Sequence, residues 1–144
     1  MIICREAILI DHEAASAEEA ILAAGNALHG SGACSEEYVQ AMLGNYREFG
    51  PYFVIAPGLA MPHARPEQGA HRAQLSFIRL RQPVVFGHAE NDPVRLVLGL
   101  SATGQDEHIA LIQQLVTLLG DEPTYHLFLN SSDPDQIFGC FTHS

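Results

Sequence analysis

The segment Gly58-Leu59-Ala60-Met61-Pro62-His63-Ala64-Arg65-Pro66 places a histidine directly after one proline and close before another. Proline fixes its own φ and donates no backbone hydrogen bond, and it pushes the preceding residue toward extended geometry. His63 is therefore presented on a stiff backbone. A neutral imidazole is a nucleophile near pH 7 and also a metal ligand. A rigidly held histidine suits either a phosphoryl-transfer nucleophile or a metal site.

Seven other histidines compete for attention. His12, His29, His126 and His143 fall in turns, helix ends or the terminal tail and read as ordinary structural residues. His71 and His88 fall in loops. His108 stands apart with His63, because both lie just outside predicted regular elements. His108 follows the acidic stretch Gln105-Asp106-Glu107 near a predicted helix N-terminus, where the helix dipole disfavours a positive charge on it. Four histidines, 63, 71, 88 and 108, could supply metal nitrogens, but their spacings match no common zinc pattern and no cysteine pair accompanies them. A Gly-x-Ser-x-Gly elbow is absent, which removes the usual serine hydrolase.

The elements that must hold these residues follow from pattern. Ile8–Ile10 is a strand candidate. Ser16 with Glu18 and Glu19 caps a helix to about Leu28, with Ala20, Ile21, Ala24 and Leu28 inward. Ser35 caps a second helix to about Glu48, with Tyr38, Met42 and Leu43 inward. Tyr52–Ala56 reads as a buried strand leading to Pro57-Gly58. Further strands are predicted at Gln74–Leu80, at Pro83–Gly87 as an edge, and at Val94–Leu100. Helices follow at His108–Leu119, Glu122–Leu129 with Pro123 at its first position, and Asp135–Phe141. Helices before and after a strand cluster predict an α/β (α+β) fold: one domain over residues 1–144, with a mixed central sheet of about five strands flanked by helices.

Composition sets bounds. The chain has 144 residues, 47% of them apolar, enough for one sizeable core. No apolar run is long enough to span a membrane. The start, Met1-Ile2-Ile3-Cys4-Arg5-Glu6, turns charged too soon for a secretory signal, and the three scattered cysteines suit reduced thiols in a cytoplasmic protein. The formal charge is −10, with seven arginines and no lysine, so no nucleic-acid partner is expected. That charge fits a partner with a basic docking face, or serves solubility alone.

The string Gly50-Pro51-Tyr52-Phe53-Val54-Ile55-Ala56-Pro57-Gly58-Leu59-Ala60-Met61-Pro62-His63 resembles the active-site segment of the type 2 IIA component of the sugar phosphotransferase system (PTS), above all its ascorbate-type branch. The likeness continues through Asn91-Asp92-Pro93-Val94 and Asp106-Glu107-His108-Ile109, covering roughly residues 15–130. The resemblance implies that His63 takes a phosphoryl group from the phosphohistidine of the carrier HPr. It would then pass the group to a IIB component, on cysteine in the mannitol and ascorbate branches, and so feed a membrane IIC indirectly. It implies no cofactor and no metal. His108 would lie beside His63 and hydrogen-bond the phosphoryl oxygens or orient the nucleophile. Arg47 precedes His63 by sixteen positions, the spacing of an arginine in the fructose and mannitol branches. It would fork onto phosphoryl oxygens, or else simply pair with Glu48 at a helix end. Arg65 is a second cation for the same task. Nε2 is the expected phosphorylated nitrogen, with Nδ1 held by a backbone carbonyl. Leu59, Ala60 and Met61 pack in the core or join a docking face, whose rim would include Glu67, Glu90, Asp106 and Glu107. The rival reading is a regulatory phosphoacceptor of the nitrogen-type branch, which generally lacks the second histidine. The sugar itself is not specified by these residues.

Overall fold

The structure, a computed structural model, describes residues 2–142, so His143 lies outside the described residues. Its strands are β1 (Ile3–His12), β2 (Val54–Ala56), β3 (Leu59–Ala60), β4 (Gln74–Val84), β5 (Val94–Val97) and β6 (Leu100–Ser101). Its helices are α1 (Ala17–Gly30), α2 (Glu36–Phe49), α3 (Gln105–Leu119), α4 (Glu122–Asn130) and α5 (Pro134–Thr142). The six strands form one mixed sheet in the order β1-β4-β5-β3-β2, with β6 also on β4. β1 runs parallel to β4, and β3 parallel to β5; the other pairings are antiparallel. No helix among the described residues is long and apolar enough to cross a membrane.

Strand β4 shows why two layers of helix cover the sheet. Its side chains alternate between faces. Ile78 and Leu80 join the cluster under α1 and α2, with Ile21, Leu28, Tyr38 and Met42. Leu75 and Phe77 join the opposite cluster under α3, α4 and α5, with Leu115, Phe128 and Ile137. Two polar residues on the strand are tied into these layers, although Arg79 Nε is buried without a hydrogen-bond partner among the described residues. Ser76 Oγ donates to Ala24 C=O at 2.8 Å, while Arg79 donates to Phe128 C=O at 3.0 Å and Ser131 C=O at 2.6 Å at the end of α4.

The helix caps follow the sequence reading. Ser16 accepts from Glu19 N–H and Ser35 from Tyr38 N–H, and the inward residues named for both helices are buried. Elsewhere the structure departs from it. The mixed, helix-flanked sheet is as expected, but β1 is far longer than Ile8–Ile10. Tyr52–Ala56 is not a buried strand: only Val54–Ala56 is extended, at the sheet edge on β3, and Tyr52 and Ile55 are exposed. A turn closed by Val54 N–H on Pro51 C=O takes up the first residues. Pro83 opens no separate strand; β4 runs through it to Val84, and the register on β5 slips between Arg79 and Val84, where proline has no N–H to give. Asp121 caps α4, so Pro123 stands second in that helix.

The run Val94–Leu100 is interrupted at Leu98-Gly99, giving β5 and β6 as successive stretches against β4. On its other side this run carries the segment that leads to His63. Leu98 N–H donates to Ala60 C=O at 2.8 Å and Leu100 N–H to Pro62 C=O at 3.1 Å. Two neighbouring parallel chain segments thus leave the sheet at the same end, one into His63 and the other toward α3.

Candidate functional site

His63 emerges where β3's extended path ends, and His108 emerges in the first turn of α3, after Ser101 and the short link Ala102–Gly104. Their rings meet with centroids 5.1 Å apart and planes at 60°. They share a surface hollow of about 280 Å³, also lined by Asn45, Tyr52, Arg65 and Gln105. Leu59, Ala60, Met61 and Pro62 are buried, so the residues before the histidine anchor it in the core and are not a docking face.

His63 Nδ1 lies 2.8 Å from Met61 C=O. A carbonyl only accepts, so Nδ1 carries the proton and Nε2 keeps its lone pair. The expectation of a backbone carbonyl on Nδ1 is met by the residue two positions upstream. On one flank Tyr52 packs edge-on to the His63 ring, centroids 5.8 Å apart. Burial raises the Tyr52 phenol above its ordinary pKa, partly offset by a hydrogen bond with Asn45. Behind the loop, the Tyr38 hydroxyl accepts from Ala64 N–H at 3.1 Å and reaches Leu100 C=O at 2.8 Å.

Burial and the neighbouring His63 both hold His108 below the ordinary imidazole value of 6.5. It is therefore neutral near pH 7 and has one N–H to donate. The unfolded chain, with the higher pKa, binds more protons as pH falls. The stability contribution is full above pH 6.5 and is lost as pH falls through the folded pKa. Urea unfolding at pH 7.5 and 5.5 checks this. Wild type should lose more stability on acidification than His108→Gln; equal losses would contradict it.

The two arginines part ways. Arg47 does not line the hollow. Its guanidinium forks onto Glu18 of α1, Nη2 to Oε1 at 2.7 Å and Nε to Oε2 at 3.2 Å. Its carboxylate partner is thus Glu18 and not Glu48. Arg65 does line the hollow and is highly exposed, with only a 3.9 Å approach to Glu67. The N-terminal turn of α3 borders the same hollow through Gly104 and Gln105. Glu67, Glu90, Asp106 and Glu107 are exposed, and Glu107 accepts from Thr103 N–H and Oγ1–H.

His71 and His88 do not join this cluster. His88 Nδ1 accepts from the backbone of Glu90 and Asn91. Among the described residues no group of three or more His, Cys, Asp or Glu side chains is placed to hold a metal ion. Asn45 and Tyr52 were not read from the sequence as lining the site. Helical spacing carried a signal for Asn45, which stands seven residues after the inward Tyr38 on the same face of α2.

A proton-fixed imidazole with its Nε2 lone pair available, a neutral second histidine and an exposed guanidinium can receive a transferable oxyanion such as a phosphoryl group. Comparisons with known proteins point the same way. The family model for the phosphoenolpyruvate-dependent sugar phosphotransferase system, EIIA 2, matches residues 1–144. The ascorbate-specific PTS system EIIA component of Escherichia coli K12 is 38% identical over 121 residues, covering 83% of this chain and 79% of that protein. The mannitol-specific cryptic phosphotransferase enzyme IIA CmtB from Escherichia coli is 37% identical and superposes with a TM-score of 0.84 over 96% of this chain and 94% of its own. The enzyme IIA mannitol chain solved in complex with phosphorylated enzyme IIB mannitol, also from Escherichia coli, is 30% identical, with a TM-score of 0.82 and 96% of each chain covered. This chain therefore belongs to the EIIA type 2 family of the phosphoenolpyruvate-dependent sugar phosphotransferase system.

Proposed function

We propose that this chain is a cytoplasmic phosphoryl carrier that takes a phosphoryl group from phospho-HPr onto His63 Nε2 and delivers it to a IIB component for sugar uptake. The observation that carries the assignment of the nitrogen is the 2.8 Å contact of His63 Nδ1 with Met61 C=O. In the acceptance step the phosphorus–nitrogen bond to the donor histidine breaks as a bond to His63 Nε2 forms. The leaving imidazole keeps the electron pair. The Nδ1 proton of His63 stays on the ring, donated to the Met61 carbonyl, which stabilises the positive charge that the ring gains. Delivery reverses this at His63, and the sulfur of a IIB cysteine becomes the new phosphorus ligand.

The transferring group passes through a loose, in-line transition state, so catalysis reduces to positioning and charge balance. His108 donates its N–H to an equatorial oxygen, and Arg65 closes over the group from the exposed side. Arg47 would have to leave Glu18 to take part, so Arg65 is the better candidate. The IIB partner is supported by the enzyme IIA mannitol relative, solved with phosphorylated IIB. Uptake of ascorbate or a related sugar is supported by the ascorbate-specific relative.

Transfer kinetics with purified phospho-HPr test this reading. His108→Gln should slow phosphoryl acceptance by roughly 100–1,000-fold, the range for loss of one positioned donor, with native circular dichroism retained. Unchanged kinetics would reduce His108 to a structural histidine.

A further inference from the structure

We propose that Tyr38 is a positioning residue for phosphoryl transfer: its hydroxyl ties the segment carrying His63 to the segment leading to His108. The inference rests on the reading that His63 carries the phosphoryl group. Tyr38 lies on α2, in neither histidine segment, and its side chain is only 1% exposed. Its hydroxyl oxygen accepts from Ala64 N–H at 3.1 Å, the residue after the nucleophile. Its proton goes to Leu100 C=O at 2.8 Å, the nearer of two carbonyls in reach (Ala64 C=O lies at 3.1 Å), on the strand that turns through Ala102–Gly104 into α3. Burial pushes the phenol up to about 12, so the proton remains available for that carbonyl across the working pH range.

The backbone links between the same segments run as far as Leu100 N–H to Pro62 C=O. Beyond Pro62 the chain leaves the sheet, and β-ladder bonding no longer fixes its course. The hydroxyl takes over there, one residue past His63. A buried tyrosine that served packing alone would need no such bridge, since phenylalanine fills the same apolar space. Two buried backbone groups from different segments meeting at one oxygen instead define a distance. That distance sets how His63 faces His108 across 5.1 Å. Small misplacements of reacting groups cost large factors in rate.

The test is Tyr38→Phe, which keeps the ring. For acceptance from phospho-HPr, kcat should fall about tenfold with KM within about twofold, because the geometry is disturbed while the docking surface is not. Ile137→Ala, in the opposite helical layer, loses stability without touching the loop and should keep wild-type kcat below its melting range. By NMR titration, the His108 ring in Tyr38→Phe should titrate nearer 6.5 than in wild type, as His63 drifts from it. Wild-type kcat in Tyr38→Phe, or an equal loss in Ile137→Ala, would overturn the proposal. Should Tyr38→Phe not fold, hydrogen exchange in wild type decides. The Ala64 amide should be protected about as well as the Leu100 amide; fast exchange at Ala64 overturns the bridge. The titration and exchange arms need no phosphoryl donor. A wild-type protein that takes nothing from phospho-HPr would defeat the functional reading and leave those arms to judge Tyr38 separately.

Discussion

Replacing His63 with alanine should abolish phosphoryl acceptance from phospho-HPr, a loss of more than about 1,000-fold, as expected when a covalent nucleophile is removed. Its neighbour does not substitute for it. His108 stands in the first turn of α3, and among the described residues no backbone carbonyl is bonded to its ring to fix its tautomer as Met61 fixes that of His63. The fold should survive, because His63 is only half buried and the hydrogen bond its ring makes is a local one, to the carbonyl two residues upstream. His71→Ala is the matched control, since that side chain is exposed and does not line the hollow, and it should transfer at the wild-type rate. Radiolabel or mass measurement of the two variants after incubation with phospho-HPr reads the difference. Full labelling of His63→Ala would mean that the nucleophile has been misidentified.

The largest stability effect is expected at Gly69, in the loop that returns the chain from His63 to the sheet. Gly69 sits at φ +128°, a conformation that residues with side chains rarely adopt. A Cβ there would also stand 2.0 Å from Ser35 Oγ, the oxygen that caps α2. The same residue's C=O accepts from Ser35 N–H at 2.9 Å, so the loop and the helix start are joined at this point. Gly69→Ala should therefore cost about 2–4 kcal/mol: backbone strain of roughly 1–3 kcal/mol plus a cap worth about 1 kcal/mol. Urea unfolding gives the value. A double-mutant cycle with Ser35→Gly isolates the collision. The added cost of Gly69→Ala should shrink in that background, because the obstructing side chain is absent. A loss below about 0.5 kcal/mol in the wild-type background would contradict the proposed steric conflict.

The parts of the molecule governed by local chemistry were legible in the sequence. Ser16 and Ser35 announced their helices because capping involves an oxygen and an N–H three residues apart. The inward faces of α1 and α2 followed from helical period. Pro62-His63 and the residues around it announced a presented imidazole. What local chemistry does not govern was misread. Tyr52–Ala56 has the composition of a buried strand, yet its burial depends on which strand lies beyond it, and none does: β2 is the sheet edge. Glu48 is the sequence neighbour that Arg47 could pair with at its helix end, but Glu18, 29 positions away in sequence, holds its guanidinium across two helices. Tyr38 was legible as a core residue. Its hydroxyl bridge was not, because Ala64 and Leu100 come together only in the folded sheet.

Those long-range meetings also explain why the site sits where it does. Parallel neighbours deliver their chain ends to the same edge of a sheet. The segment ending at Pro62 and the strand ending at Ser101 are such neighbours, so residues 45 positions apart in sequence, His63 and His108, arrive side by side. The carbonyl of Met61 then fixes which nitrogen faces the hollow.

The most direct test is to phosphorylate the wild-type protein with phospho-HPr and locate the group by phosphorus and nitrogen NMR. The expected product carries one phosphoryl group, on Nε2 of His63, with Nδ1 still protonated, and loses it in acid but not in base. A group found on Nδ1, on His108 or on a hydroxyl, or no group at all, would contradict the central claim.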